Sequence, residues 1–181
     1  CSLEPTNPNA LAGLIECLID RDDLKEASRL LQRLPAGWHE DPRFAYFQGR
    51  LAEDAERWDE ATQSYARAAD GDPDHREAHY RLGQILLQSG HVSEAERYLE
   101  RARMLADRES LLGSLVNSEN PVHYVPLMAR LEAELGHDRV AKAWYGEAVR
   151  LDPGNEELRS EANRFSQRAR SGSGTEEGSE W

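Results

Sequence analysis

Residues 44–73 read FAYFQGRLAEDAERWDEATQSYARAADGDP, and the spacing within them decides the fold. Small or apolar residues recur at Ala45, at Gln48-Gly49, and at Ala52 and Ala55. Trp58, Ala61, Tyr65 and Ala68 then repeat the interval of three to four residues. That is the period of two consecutive amphipathic helices. Pro73 follows, where a proline stops a helix without sacrificing a buried N–H.

The same pattern recurs on both sides. Lys25-Glu26-Ala27, Asp59-Glu60-Ala61 and Ser93-Glu94-Ala95 are similar settings, with the alanines 34 residues apart. Gly49 and Gly83 are also 34 apart, and Pro5 and Pro73 are 68 apart. The register then slips by 12 residues: Ala95 to Ala141 is 46, and Pro73 to Pro153 is 80. Gly90 and Gly136 each stand five residues before a key alanine, at a turn where positive φ suits glycine. Gly49, Gly83 and Ala129 fall mid-way along first helices, and Ala61, Ala95 and Ala141 open second helices. Small residues at such sites let helix backbones approach closely.

On these residues the chain resembles the tetratricopeptide repeat family. Gly49, Ala61, Tyr65, Ala68 and Pro73 match its pattern in one unit, and Leu82, Gly83, Ala95, Leu99 and Ala102 in the next. Ala141, Tyr145, Ala148 and Pro153 match in the last. The first unit keeps Leu11, Leu14, Leu18, Ala27 and Leu31, but Ile15 replaces the usual glycine. The resemblance covers residues 1–165 and implies an all-α, right-handed solenoid of antiparallel helix pairs. The units expected are 8–41, 42–75, 76–109 and 122–155, with an insertion at 110–121 and a capping helix at 156–170. The insertion region, taken from Ala106 to Pro121, is read as a short helix or helix extension, then a turn. Pro121 opens or precedes the next helix, and Pro126 sits in that helix's first turn.

Both termini carry expectations. Ser2-Leu3-Glu4-Pro5 parallels Arg150-Leu151-Asp152-Pro153, so residues 1–7 read as the end of a preceding, truncated repeat. On that reading the chain is a C-terminal piece of a larger protein. The rival is a processed lipoprotein beginning at an acylated Cys1. Lys25 and Lys142 are the only lysines among 22 basic residues, an arginine bias that suggests a high-GC bacterial genome. Truncation predicts a partly uncovered face at Leu11, Leu14 and Leu18. Residues 171–181, ending in Trp181, read as a disordered tail.

Composition narrows the function. The chain has 181 residues and a formal net charge of −12, from 22 basic and 34 acidic residues. So acidic a chain is a poor nucleic-acid or anionic-membrane binder. The longest apolar stretch, Leu11 to Ile19, is interrupted by Glu16 and is too short to span a bilayer. Two cysteines build no disulfide framework. Asp70, Asp72 and Asp74 start like a calcium loop, but His75 and Arg81 stand where glycine and glutamate are required. His75 and His79 have metal-ligand spacing with no third ligand, and His75 precedes the helix start. Cys17, between Leu14 and Leu18, reads as a core thiol. Asp20, Asp22 and Asp23 read as a helix-capping turn. No nucleophile elbow, P-loop or dinucleotide fingerprint occurs, so no catalytic, metal or cofactor residues are assigned.

What the resemblance does imply is a groove lined by first helices. Its residues would be Asn9, Ala12 and Glu16, then Arg43, Tyr46 and Arg50, then Glu77, Tyr80 and Gln84, and finally His123, Pro126 and Arg130, with Arg81 alongside. The candidate peptide-binding set is Arg43, Tyr46, Arg50, Tyr80, Arg81, Gln84 and Arg130. Arginine grips a carboxylate through two hydrogen bonds, and tyrosine offers a rigid amphipathic face. Ordinary pairing is the alternative: Arg43 with Glu40 or Asp41, Arg50 with Glu53 or Asp54. Chaperone-binding members use Lys and Asn on these helices, and Ala12 and Glu16 depart from that pattern. The expected function is therefore a protein–protein interaction module holding a peptide or protein segment. The alternative is a partner- or substrate-binding arm of an enzyme whose catalytic domain lies upstream.

Overall fold

A computed structural model describes residues 7–172. The expectations for Ser2 to Pro5, for an acylated Cys1 and for Trp181 lie outside the described residues. The chain is an all-α helical repeat of the solenoid class. Nine α-helices occur among the described residues, and no strand. They are α1 (Pro8–Asp20), α2 (Leu24–Leu31), α3 (Pro42–Asp54), α4 (Trp58–Gly71), α5 (Arg76–Gln88), α6 (Val92–Val116), α7 (Tyr124–Glu134), α8 (Asp138–Leu151) and α9 (Glu156–Gly172). Short 3-10 turns at Ala36–Trp38 and Pro121–His123 precede α3 and α7. Helix α9 continues two residues beyond the expected Arg170.

The chain divides into two compact units, Cys1–Arg103 and Met104–Trp181, with α6 contributing to both. In the first, α1 packs on α2, α3 on α4 and α4 on α5. Ile15, Ala27, Phe44, Ala61, Tyr65, Ala68, Ala78 and Ala95 are all fully enclosed. The small residues work as the spacing requires. A Cβ on Gly49 would lie 2.7 Å from the Tyr65 ring, and one on Gly83 would lie 2.7 Å from Leu99 Cγ. In the second unit α7 packs on α8 and α8 on α9. Its core is built on Val125, Ala129, Tyr145, Ala148 and Leu158.

Four turns within the helix pairs share one construction. Asp22, Glu56, Gly90 and Gly136 have φ of +62°, +56°, +82° and +81°. Each N–H bonds the carbonyl three residues back, and the next N–H bonds the one five back, as in Asp23 N to Leu18 O at 2.8 Å and His137 N to Glu132 O at 2.8 Å. This is the Schellman closure, which satisfies carbonyls left over at a helix end. The expected glycine turns are present, and two further turns have the same geometry without glycine.

Several expectations need correction. Cys17 is exposed, not a core thiol. The buried face of α1 is Leu11, Ala12, Ile15 and Ile19, and at about 100° per residue Cys17 points away from it. Leu14 is 49% exposed, whereas Leu11 is buried and Leu18 partly so; the three do not form one uncovered face. Trp58, at the first position of α4, is 46% exposed. Of the two readings of the insertion, the helix extension is the one observed: α6 runs unbroken to Val116, and Asn117 Nδ2 donates to Gly113 O at 2.7 Å.

Candidate functional site

Helices α1 and α3 and the start of α5 enclose a cleft of about 320 Å³ in the first unit. The α1 wall carries Asn9, Ala12, Gly13, Glu16 and Asp20. The α3 wall carries Arg43, Tyr46 and Arg50, and His75 and Glu77 close one end.

Arg43 is occupied. Asp41 caps α3 by accepting from Arg43 N at 3.0 Å. Its oxygens also accept from Arg43 Nε at 3.0 Å and Nη2 at 2.6 Å. Arg43 Nη1 donates to Asn9 Oδ1 at 2.7 Å, tying α3 to α1. The paired guanidinium holds Asp41 below the usual carboxylate range. Ordinary pairing with Asp41 therefore describes Arg43.

Arg50 differs. It is half-buried, and its one hydrogen bond among the described residues is a long 3.5 Å contact from Nη1 to the Tyr46 hydroxyl. It forms no ion pair among the described residues. Burial works against its charge, but Tyr46, Tyr65 and Asp20 together lift its pKa above the ordinary arginine value. Neither Glu53 nor Asp54 takes it. Glu53 instead accepts from the Tyr65 hydroxyl at 2.5 Å and from Arg81 Nη1 at 3.2 Å. Tyr46 is only 9% exposed, so its ring builds the wall instead of offering a free face. It packs on His75 at 4.6 Å between ring centroids, and on Tyr65 at 5.7 Å. His75 caps α5, with Nδ1 accepting from Ala78 N at 3.4 Å, so its proton sits on Nε2. Burial holds His75 below its ordinary value.

The remaining groove residues do not join this cleft. Tyr80 is 47% exposed, and its hydroxyl accepts from Gln84 Nε2 at 2.7 Å. Arg130 belongs to the second unit, where Glu161 takes it with two bonds of 2.9 and 2.8 Å. The Tyr145 hydroxyl donates to the same carboxylate at 2.9 Å. Burial and that bond push Tyr145 up to about 12, while Arg130 holds Glu161 below its ordinary range. The expected arginine strip is thus mostly neutralised by the chain's own carboxylates.

Register explains the contrast. Arg130 stands 80 residues after Arg50, Tyr145 stands 80 after Tyr65, and Glu161 stands 80 after Arg81. Among the described residues, equivalent arginines therefore meet an acid in one unit and none in the other. The spacing of the prolines held this offset, but which carboxylate turns to which arginine needed the fold. Gly13 was missed altogether. Its only signal in the sequence is a glycine inside an amphipathic helix.

The other polar motifs serve structure. Asp72 Oδ1 accepts from Asp74 N at 3.0 Å, and Asp74 pairs with Arg101 at 3.1 Å. His79 is buried, with Nε2 donating to Pro73 O at 3.0 Å. Asp23 caps α2 by accepting from Glu26 N. No helix among the described residues is long and apolar enough to cross a membrane.

The tetratricopeptide repeat family profile matches residues 2–51 and 52–118, and the chain belongs to that family. It is a repeat scaffold for protein–protein interaction, of a kind that is generally non-catalytic. Similar solved structures include the TPR domain of Arabidopsis OM64, at 16% identity over 71% of this chain and 97% of that one, with a TM-score of 0.36. MamA from Desulfovibrio magneticus, residue 41 to its end, is 18% identical over 89% of this chain and 84% of its own, with a TM-score of 0.46. A thermophilic TPR protein of Thermus thermophilus is 19% identical over 91% and 84%, with a TM-score of 0.45. No curated protein sequence matches.

Proposed function

We propose that the α1–α3–α5 cleft binds an extended segment of a partner protein, with Arg50 as its anchor. The observation that carries this is the state of Arg50: half-buried, beside Tyr46, and paired with no carboxylate among the described residues. A guanidinium held out of bulk water gains most from a bidentate acceptor, and a ligand carboxylate supplies one. Exposed pairs contribute about 0–1 kcal/mol, so partial burial of Arg50 is what makes it an anchor. Arg43, Arg81 and Arg130 have internal partners and are not anchors.

The test is selection of a random phage-displayed peptide library on the full chain, followed by titration of an enriched peptide. Arg50→Gln should weaken binding several-fold, and Gly13→Leu should obstruct the cleft. A Cβ at Gly13 meets nothing within 4 Å among the described residues, so a side chain can start there without displacing a neighbour, and the blocked variant is expected to retain the fold. Replacing a mid-helix glycine also favours the helix by roughly 0.5–1 kcal/mol. Circular dichroism and melting of both variants verify this. Peptides that bind both as well as the parent protein would place the site elsewhere.

A further inference from the structure

We propose that this cleft selects a mixed-charge segment: a basic side chain seated between Glu16 and Asp20, a neighbouring carboxylate on Arg50, and the segment's backbone crossing Gly13. The proposal rests on the cleft being the binding site and adds the chemistry of its occupant.

The first observation is a pattern of charges that lack a hydrogen-bonded or ion-paired partner among the described residues. Glu16 and Asp20 lie one helical turn apart on the α1 wall, and neither carboxylate has a hydrogen bond or ion pair among the described residues. Residues so spaced have Cβ atoms about 5–6 Å apart, so one guanidinium or ammonium reaches both. Arg50 faces the same cleft from α3, and Asp20 forms no ion pair with it. A wholly acidic segment would satisfy Arg50 but confront Glu16 and Asp20. A wholly basic one would satisfy the acids but confront Arg50. Like charges placed together are how an interface rejects a wrong partner. A segment with a base beside an acid meets all three groups with opposite sign.

The second observation is Gly13. Gly49 and Gly83 have no room for a side chain, because a Cβ on either would lie 2.7 Å from a neighbouring side chain. A Cβ on Gly13 would meet nothing within 4 Å among the described residues, although Gly13 sits inside α1, where glycine is unfavourable. Gly113 and Gly146 are equally open, but neither lines this cleft. At Gly13 the bare backbone lowers the α1 wall, which allows the close approach of another chain.

The experiment uses the same displayed library on the full chain, with counter-selection on the Arg50→Gln protein. Enriched peptides should carry Lys or Arg within a few positions of Asp or Glu. For a synthesised peptide, changing its base to Ala should weaken binding about fivefold, as for a pair near 1 kcal/mol. That loss should vanish against the Glu16→Gln, Asp20→Asn double variant, while changing the peptide's acid should lose its effect against Arg50→Gln. Enrichment of acidic residues alone, or equal binding to the double variant, overturns the mixed-charge inference and leaves the cleft as the site. Binding that ignores both Arg50→Gln and Gly13→Leu, or no enrichment at all, overturns the cleft reading as well.

Discussion

Glu56 carries a φ of +56° in a turn that glycine fills two units later, at Gly136. A side chain in the left-handed region is disfavoured by roughly 1–2 kcal/mol, partly offset in the glycine variant by a freer unfolded chain. Glu56→Gly should therefore stabilise the protein by about 1 kcal/mol in urea unfolding, and an unchanged midpoint would show the strain to be absent. A second residue-scale effect concerns acid. Burial, first among the causes, depresses both His75 and His79 below the ordinary 6.5. His79 Nδ1 is enclosed without a partner, so a proton there finds no acceptor. Below about 6.5 the unfolded chain binds protons that the folded chain resists. The stabilisation is complete above that pH and is lost as pH falls from 6.5 through the depressed folded values. The melting temperature should drop from pH 7.5 to 5.5, and less steeply in His79→Gln; equal slopes would exclude His79 as a source.

At the scale of helices, close approach is the controlling quantity. Gly83 on α5 faces Leu99 on α6, with backbone atom Leu99 N also within 3.2 Å of a built Cβ. Gly83→Leu should destabilise by roughly 1–3 kcal/mol through overpacking, measured by denaturant unfolding; a neutral result would mean that α5 and α6 can separate freely. This contact was legible because glycine, alanine and proline recur at fixed offsets, and those offsets encode backbone proximity. The face of α1 was less legible. Leu14, Cys17 and Leu18 look apolar in a linear reading, yet Ile15 and Ile19 define the buried side. Charge pairing was legible only where it is local, as for Arg43 with Asp41. Arg81 reaches Glu53 across 28 residues, and Arg130 reaches Glu161 across 31. No window on one helix contains those partners. Glu53 lay within reach of Arg50 in sequence, but its oxygens face Tyr65 and Arg81.

For the molecule as a whole, the excess of acid sets how a partner arrives. With a net charge of −12, a segment with more bases than acids is attracted from beyond contact range, and one whose base and acid balance is not. Screening shortens that reach from about 10 Å at 0.1 M salt to about 3 Å at 1 M. The association rate of a cleft-binding peptide of net positive charge should thus fall with salt more than its dissociation rate rises, as read by stopped-flow fluorescence. A salt response confined to dissociation would mean that the overall field contributes nothing.

The matched arginines bear on how such a chain changes over generations. Position 81 holds Arg where its counterpart, 161, holds Glu, and that difference accompanies an open guanidinium in one unit and a closed one in the other. Arg81→Glu should silence the cleft by supplying Arg50 with an internal mate, seen as lost peptide binding in a protein that still melts cooperatively; retained binding would break the equivalence. A duplicated array can in this way carry dormant sites. Each is kept quiet by a single side chain and is open to recruitment by a single replacement.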